Sequence, residues 1–249
     1  MTAHAAIIGS RTRGLRASLH LGLLFVTAGL AATPAPAEVG AAASLFSDAR
    51  FRGFSISNGD PVAILDLSYD DPDGLYAAAS GSIVARRGTS LHPLQLQLYG
   101  GYARRLSPGL TLDLGAGQSI YSHYASVGPA RSYTELYAGV SGKSLSSRIS
   151  VSPDYFRSGS WSVYGEVNGN IRAPAKLRVE GHVGLLASLH NRRVSYYSQP
   201  ELDWRIGVSR TFGRVSLHAA LTGRGAGNGF YEDRGYGHRG VVVGLTYAL

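Results

Sequence analysis

The chain carries 8 histidines, 16 aspartates and glutamates, 24 lysines and arginines, and no cysteine. Thiol nucleophiles, thiolate metal sites and disulfides are therefore excluded, so any chemistry must come from imidazole, carboxylate and hydroxyl groups. These groups do not stand in catalytic spacings. The sequence has no His-Glu-x-x-His and no Gly-x-Ser-x-Gly. No histidine is followed two residues later by serine, the pair that lipid-hydrolysing barrels carry on their rim. The closest pair of metal-ligand types on one candidate strand is Glu180 and His182, and two ligands do not hold a metal. No cofactor is implied. The arginines are scattered rather than clustered, which gives no footprint for nucleic acid.

What does recur is a set of polar residues that alternate with apolar ones. Asp113, Glu135, Arg148, Glu166, Arg178, Glu180, His182, Asp203, Arg205 and His218 all fall on the polar face of segments with a two-residue period. On strands of a closed sheet they would face a common interior. There they would either line a water-filled passage or pair into a network that closes it. A second group, Asp48, Arg50, Phe51, Arg52 and Gly53, follows the first such segment. A guanidinium fork suits a carboxylate, so Asp48 can pair with Arg50 or Arg52. Two readings of this group stand: a loop turned inward that sets selectivity, and a loop held in shape by ion pairing. Catalysis through His182 or His218 is the weakest reading of the interior set.

The elements that would carry these residues are strands. Leu96 and Leu98, preceded by Leu94, oppose Gln95, Gln97 and Tyr99; Leu110, Leu112 and Leu114 oppose Thr111 and Asp113. The same alternation runs through Trp161 to Asn168, Leu177 to Leu185, Leu202 to Val208 and Val215 to Leu221. Weaker segments start near Val39, Pro61, Leu75, Tyr133 and Leu145, and the last covers Val241 to Leu249, for twelve in all. Connections alternate in length. Short turns at 70–74, 107–109, 142–144, 173–175 and 212–214 separate longer stretches at 49–60, 86–92, 122–132, 153–160, 191–200 and 223–239. An antiparallel up-and-down barrel with short turns at one end and long loops at the other produces this parity, whereas a soluble sandwich has no reason to.

Residues 1–37 read as a secretory signal peptide: Arg11, Arg13 and Arg16, the apolar run Leu19 to Leu30, then Ala35-Pro36-Ala37. Residues 38–249 would form one barrel domain in the outer membrane, 212 residues with a net charge of +5 once three arginines leave with the signal. A mildly basic surface suits anionic lipid and lipopolysaccharide headgroups. Glycine, at 33 residues, well exceeds its usual share of about 7%, and 15 tyrosines dominate the aromatics, in keeping with strands and tight turns. Tyr69, Tyr76, Tyr102, Phe212 and Tyr247 near the short turns, and Phe156, Trp161, Tyr196 and Tyr197 near the long loops, would form interfacial girdles. The C-terminal alternation Leu245, Tyr247, Leu249 has the form of the signal read by the barrel-assembly machinery. The loop 223–239, with Gly225, Gly227, Gly229, Phe230, Tyr231, Gly235, Tyr236 and Gly237, could fold over a pore or dock a partner.

Two stretches resemble signatures of the TorF family of proteobacterial porins: Ser47-Asp48-Ala49-Arg50-Phe51-Arg52-Gly53-Phe54-Ser55-Ile56-Ser57-Asn58-Gly59-Asp60-Pro61 and Ser152-Pro153-Asp154-Tyr155-Phe156. The chain departs from that pattern at Ala49, where an aromatic is expected, and at Leu249, where outer-membrane barrels usually end in phenylalanine. The resemblance implies a porin-like barrel of undefined substrate. The reading is thus an all-β transmembrane barrel of about twelve strands that passes small hydrophilic solutes, with a closed structural or adhesive barrel as the alternative. The purified protein is expected to migrate differently in detergent gels before and after boiling; identical migration would show that no stable barrel forms.

Overall fold

The structure is a computed structural model that describes residues 37–86, 88, 90–127, 131–156, 158–190, 200–225 and 239–249. The expected signal peptide, apart from Ala37, lies outside these residues. So do Tyr196, Tyr197 and positions 226–238 of the glycine-rich loop. Twelve strands close into one antiparallel barrel: β1 (Glu38–Phe46), β4 (Val62–Asp70), β5 (Leu75–Ala85), β6 (Leu91–Ser107), β7 (Leu110–Tyr121), β8 (Arg131–Ser141), β9 (Leu145–Ser152), β10 (Trp161–Ala173), β11 (Leu177–His190), β12 (Glu201–Phe212), β13 (Val215–Arg224) and β14 (Arg239–Ala248). Two further strands, β2 (Arg50–Phe51) and β3 (Phe54–Ser55), form a separate small hairpin between β1 and β4. Each barrel strand pairs with its neighbours in sequence, and β1 pairs with both β4 and β14. At that seam Ala42 faces Ala248 and Phe46 faces Gly244, and Ser44 Oγ lies 2.9 Å from Thr246 Oγ1.

Closure fixes where the side chains go. Successive residues of a strand point to opposite faces, so one set turns outward and the other into the bore. The outward set is apolar and exposed, among it Leu45, Leu65, Leu67, Leu98, Leu114, Leu136, Ile149, Val183, Ile206 and Leu217. The inward set is polar and buried, among it Asp66, Ser119, Ser150, Glu166, Asn168, Glu180, Asp203 and Thr222. This inverts the distribution of a water-soluble domain and leaves an apolar band too extensive for one. It suits a wall facing lipid. Among the described residues no helix is long and apolar enough to cross a membrane.

Three expected placements are corrected. Leu94 is fully buried rather than on the outer face, because a register shift between Ser82 and Ile83 of β5 skips one residue of β6 and turns Leu94 inward. Tyr76 and Phe156 do not join a girdle. Tyr76 turns into the bore and bonds to Asp113 and Tyr137, while Phe156 is buried in the mouth. Tyr69, Tyr102, Phe212 and Tyr247 near the short-turn end and Trp161 near the long-loop end are exposed.

The apolar core sits inside the mouth at the long-loop end. It joins Val62, Ile64, Val84, Leu94, Tyr121, Tyr133, Tyr164 and Leu186 of the strand ends to Ala49, Phe51, Phe54, Ile56, Ala125, Val127, Tyr155 and Phe156 of the loops. Leu245, Tyr247 and Leu249 are exposed, and Leu249 N donates to Ala41 O at 3.0 Å across the seam.

Placing a charge on the lipid-facing band has a calculable cost. Ile206, 61% exposed on β12, should lose about 2–4 kcal/mol of unfolding free energy in vesicles when changed to arginine. Leu249→Phe should leave the yield of folded barrel unchanged or higher, because the outward register is kept; denaturant titration in lipid reads both variants.

Candidate functional site

The segment between β1 and β4 turns into the barrel instead of away from it. Arg52 and Gly53 join β2 to β3 with φ of 47° and 74°, the doubly positive turn that matches strand twist. Gly53 is required twice over. Its φ is left-handed, and a Cβ there would lie 2.7 Å from Gly223 O on the β13 wall. Asp48 holds the hairpin's base. Its carboxylate accepts hydrogen bonds from Arg50 Nε at 2.6 Å, Ser55 Oγ at 2.5 Å and Ser57 Oγ at 2.9 Å. Ser57 Oγ accepts in turn from Ala49 N at 3.0 Å, and Arg50 Nη1 donates to Gly53 O at 3.1 Å. The ion pairing and the inward fold, two alternatives in the sequence, therefore coexist in one hub.

The hairpin carries Phe51 against a cluster of rings. Phe51 lies 6.0 Å from Tyr121, 6.1 Å from Tyr133 and 6.3 Å from Phe156, centroid to centroid. Phe156 lies 4.9 Å from Tyr133 and 4.8 Å from Tyr155. Tyr155 and Phe156 are set by Asp154, which accepts from Thr134 N at 2.9 Å and Ser152 Oγ at 3.2 Å. Segments 47–61 and 152–156, about a hundred residues apart, thus meet in one aromatic seal at the mouth. Each ring pair contributes roughly 0.5–1.5 kcal/mol beyond area burial.

Below the seal the interior is polar and its charges are largely paired. Arg52 reaches from the hairpin tip to Glu135 on β8, Nη2 to Oε1 2.6 Å, and its guanidinium carbon lies 3.9 Å from the Tyr164 ring centroid. Tyr164 Oη donates to Asp203 Oδ2 at 3.0 Å. His182 places Nε2 2.8 Å from Asp203 Oδ1 and Nδ1 2.7 Å from Asn168 Oδ1, with Glu166 Oε2 3.9 Å from Nδ1. A second group spans β5, β7, β8 and β9. Arg148 Nη2 donates to Asp113 Oδ2 at 2.8 Å, Tyr76 Oη donates to Asp113 Oδ1, and the Arg148 guanidinium carbon lies 4.2 Å from the Tyr137 ring.

Glu135, Arg148, Glu166, Glu180, His182, Asp203, Arg205 and His218 line one cavity of about 180 Å³ beneath the hairpin. Asp113 lines a smaller one of about 40 Å³ with Arg148 and Tyr76. Ser209 Oγ donates to Glu180 Oε1 at 3.3 Å, and the His218 ring packs 5.9 Å from Phe46. Arg178 stands apart, donating to Asn170 Oδ1 at 3.3 Å. Sequence reasoning missed Asp66 and Tyr76 as members of this interior; alternation set Tyr164 and Asn168 on the inner face beside Glu166, but they were not among the candidate lining residues. Parity held the signal for Asp66 and Asp70 on β4, but Val62 and Ile64 on the same face weaken the alternation there.

The arrangement sets acids, bases and hydroxyls around one cavity. Among the described residues, His182 meets Tyr164, Glu166, Asn168 and Asp203 and no serine or threonine hydroxyl. Among the same residues no group of three or more His, Asp or Glu side chains could hold a metal ion.

Comparison with solved structures gives barrels of this kind. The NanC porin superposes with a TM-score of 0.56 over 85% of this chain and 100% of that one, at 12% identity. A chain from work on in-meso crystallization of membrane proteins gives 0.52 over 85% and 83%, at 11% identity. The COG4313 outer membrane channel from Pseudomonas putida F1 gives 0.48 over 87% and 96%, at 15% identity. At these identities the likeness is one of fold. No curated protein sequence matches the chain. A family model does match residues 30–236, which take in nearly all of the barrel, and the chain accordingly belongs to the Gcw_chp family, described as bacterial proteins of unknown function.

Proposed function

We propose that this protein is an outer-membrane channel through which small hydrophilic solutes diffuse with weak selectivity, and that the inward-folded hairpin forms its constriction. The observation that carries this reading is the inverted barrel: an apolar band outside, and inside it a cavity lined by paired charges beneath the hairpin. The porin fold of the structures it resembles supports the same reading. So does the TorF resemblance, whose two signature segments are the parts that meet in the mouth. On this reading Asp113, Glu135, Arg148, Glu166, Arg178, Glu180, His182, Asp203, Arg205 and His218 line the path of the solute. Asp48, Arg50, Phe51, Arg52 and Gly53 set its width.

Export would use residues 1–37. Insertion would use Leu245, Tyr247 and Leu249 as the signal for the barrel-assembly machinery, and lipid and lipopolysaccharide would surround the wall. No catalytic step and no cofactor is part of the proposal. The aromatic seal favours a second reading, a barrel that stays closed and serves a structural or adhesive role through its outer loops.

Planar-bilayer recording separates the two. The wild-type protein should show small unitary conductances. Asp48→Ala removes an acceptor of three hydrogen bonds, each to a charged group and worth about 1.5–3 kcal/mol, and should raise conductance by releasing the hairpin. A folded wild type that stays silent at high concentration, with Asp48→Ala equally silent, would leave the closed barrel as the answer.

A further inference from the structure

Several of the inward acids just described meet basic side chains: Asp48 with Arg50, Glu135 with Arg52 and Asp113 with Arg148, while Asp203 and Glu166 face the His182 imidazole. Asp66 differs. It lies on the inner face of β4, is only 5% exposed, and lines the larger cavity. No basic side chain pairs with it among the described residues, and its one polar side-chain contact is a marginal one from Ser80, which leaves neither carboxylate oxygen with a well-formed hydrogen bond. Its neighbours in register are Ala42 on β1 and Ser80 on β5; beyond Ser80 the same row continues with Gln97 and Ser119. This arc of the wall therefore offers hydroxyls and amides but no cation.

Two more buried oxygens accompany it without partners, Ser68 Oγ and Tyr99 Oη. Ser68 is two residues along the same face of β4. Tyr99 lies two strands away in Ser68's row, with Ala78 between, and lines the larger cavity with Asp66 and the smaller with Ser68. The β4 face then runs on to Asp70, which stands opposite Glu38 at the short-turn end.

A buried carboxylate with no basic partner is costly unless it takes up a proton or a cation compensates it. The accompanying groups suggest which cation. A primary ammonium has three N–H donors and no acceptor, and it meets here one carboxylate and two hydroxyl oxygens whose acceptor capacity is unused. We propose that Asp66, with Ser68 and Tyr99, forms a binding site for the primary ammonium group of a small solute, and that the channel favours such cations over anions of similar size. The selectivity half rests on the channel reading; the binding half does not.

Two measurements on the folded, full-length protein keep these halves apart. In detergent micelles, 13C-methylammonium should show faster transverse relaxation with the wild type. That enhancement should be lost with Asp66→Asn and weakened with Tyr99→Phe, which removes only the hydroxyl. Tetramethylammonium, which has no N–H to donate, should show no enhancement with any of the three. In planar bilayers under a methylammonium chloride gradient, the reversal potential should report a cation preference that falls several-fold in Asp66→Asn. Equal relaxation with wild type and both variants would overturn the site, as would equal enhancement of tetramethylammonium. A silent bilayer with the relaxation pattern intact would retain the site and overturn the channel. Unboiled gel migration identifies folded variants, and Tyr99→Phe carries the test if Asp66→Asn does not fold.

Discussion

Closure of the hydrogen-bond ladder is the constraint on which everything else depends. β1 bonds to β4 on one edge and β14 on the other, so among the described residues no barrel strand keeps an open edge and the backbone polar groups of the wall are satisfied within it. Without that seam the outer band of leucine, valine and isoleucine could not be immersed in hydrocarbon, where an unpaired amide or carbonyl costs several kcal/mol. Once the ladder is closed, the pleat sorts side chains by parity. The polar interior is a consequence of that sorting, as is the apolar exterior.

The interior that closure creates is too wide for twelve rows of serine, glycine and glutamine to fill alone. The chain fills the upper part with its own first loop. Asp48 is the pivot, because a carboxylate accepting from Arg50, Ser55 and Ser57 turns a flexible connection into a rigid hairpin. The hairpin then delivers Phe51 to the aromatic seal and Arg52 to Glu135 and Tyr164. Below it the wall is asymmetric. Acids and bases on β7 to β12 largely compensate one another, while the row from Asp66 on β4 through Ser80 and Gln97 to Ser119 on β7 carries neutral hydroxyls and amides.

Much of this was legible in the residues themselves. Twelve alternating segments became twelve barrel strands, and the five short turns fell where Gly, Pro and Asp cluster. The failures are local and have causes. Leu94 was assigned outward because alternation assumes no bulge, and a bulge is set by pairing with β5 rather than by composition. Tyr76 was assigned to a girdle because tyrosine is amphipathic. Its hydroxyl instead found Asp113 and Tyr137, residues 37 and 61 positions away, whose proximity depends on the arrangement of β5, β7 and β8.

The sequence by itself determined a count of about twelve strands, the inner and outer faces of the strongly alternating ones and the alternation of loop lengths, because all three follow from a local period of two and from turn chemistry that each segment carries alone. Only the tertiary structure decided that the first loop points inward, that segments 47–61 and 152–156 share one seal, and which interior charges are paired. Those outcomes depend on the distances between strands remote in sequence, and barrel closure sets these distances. Asp66 shows the division most clearly. Alternation on β4 could place it inside, but its lack of a basic partner is a property of Ala42, Ser80 and Gln97 standing around it.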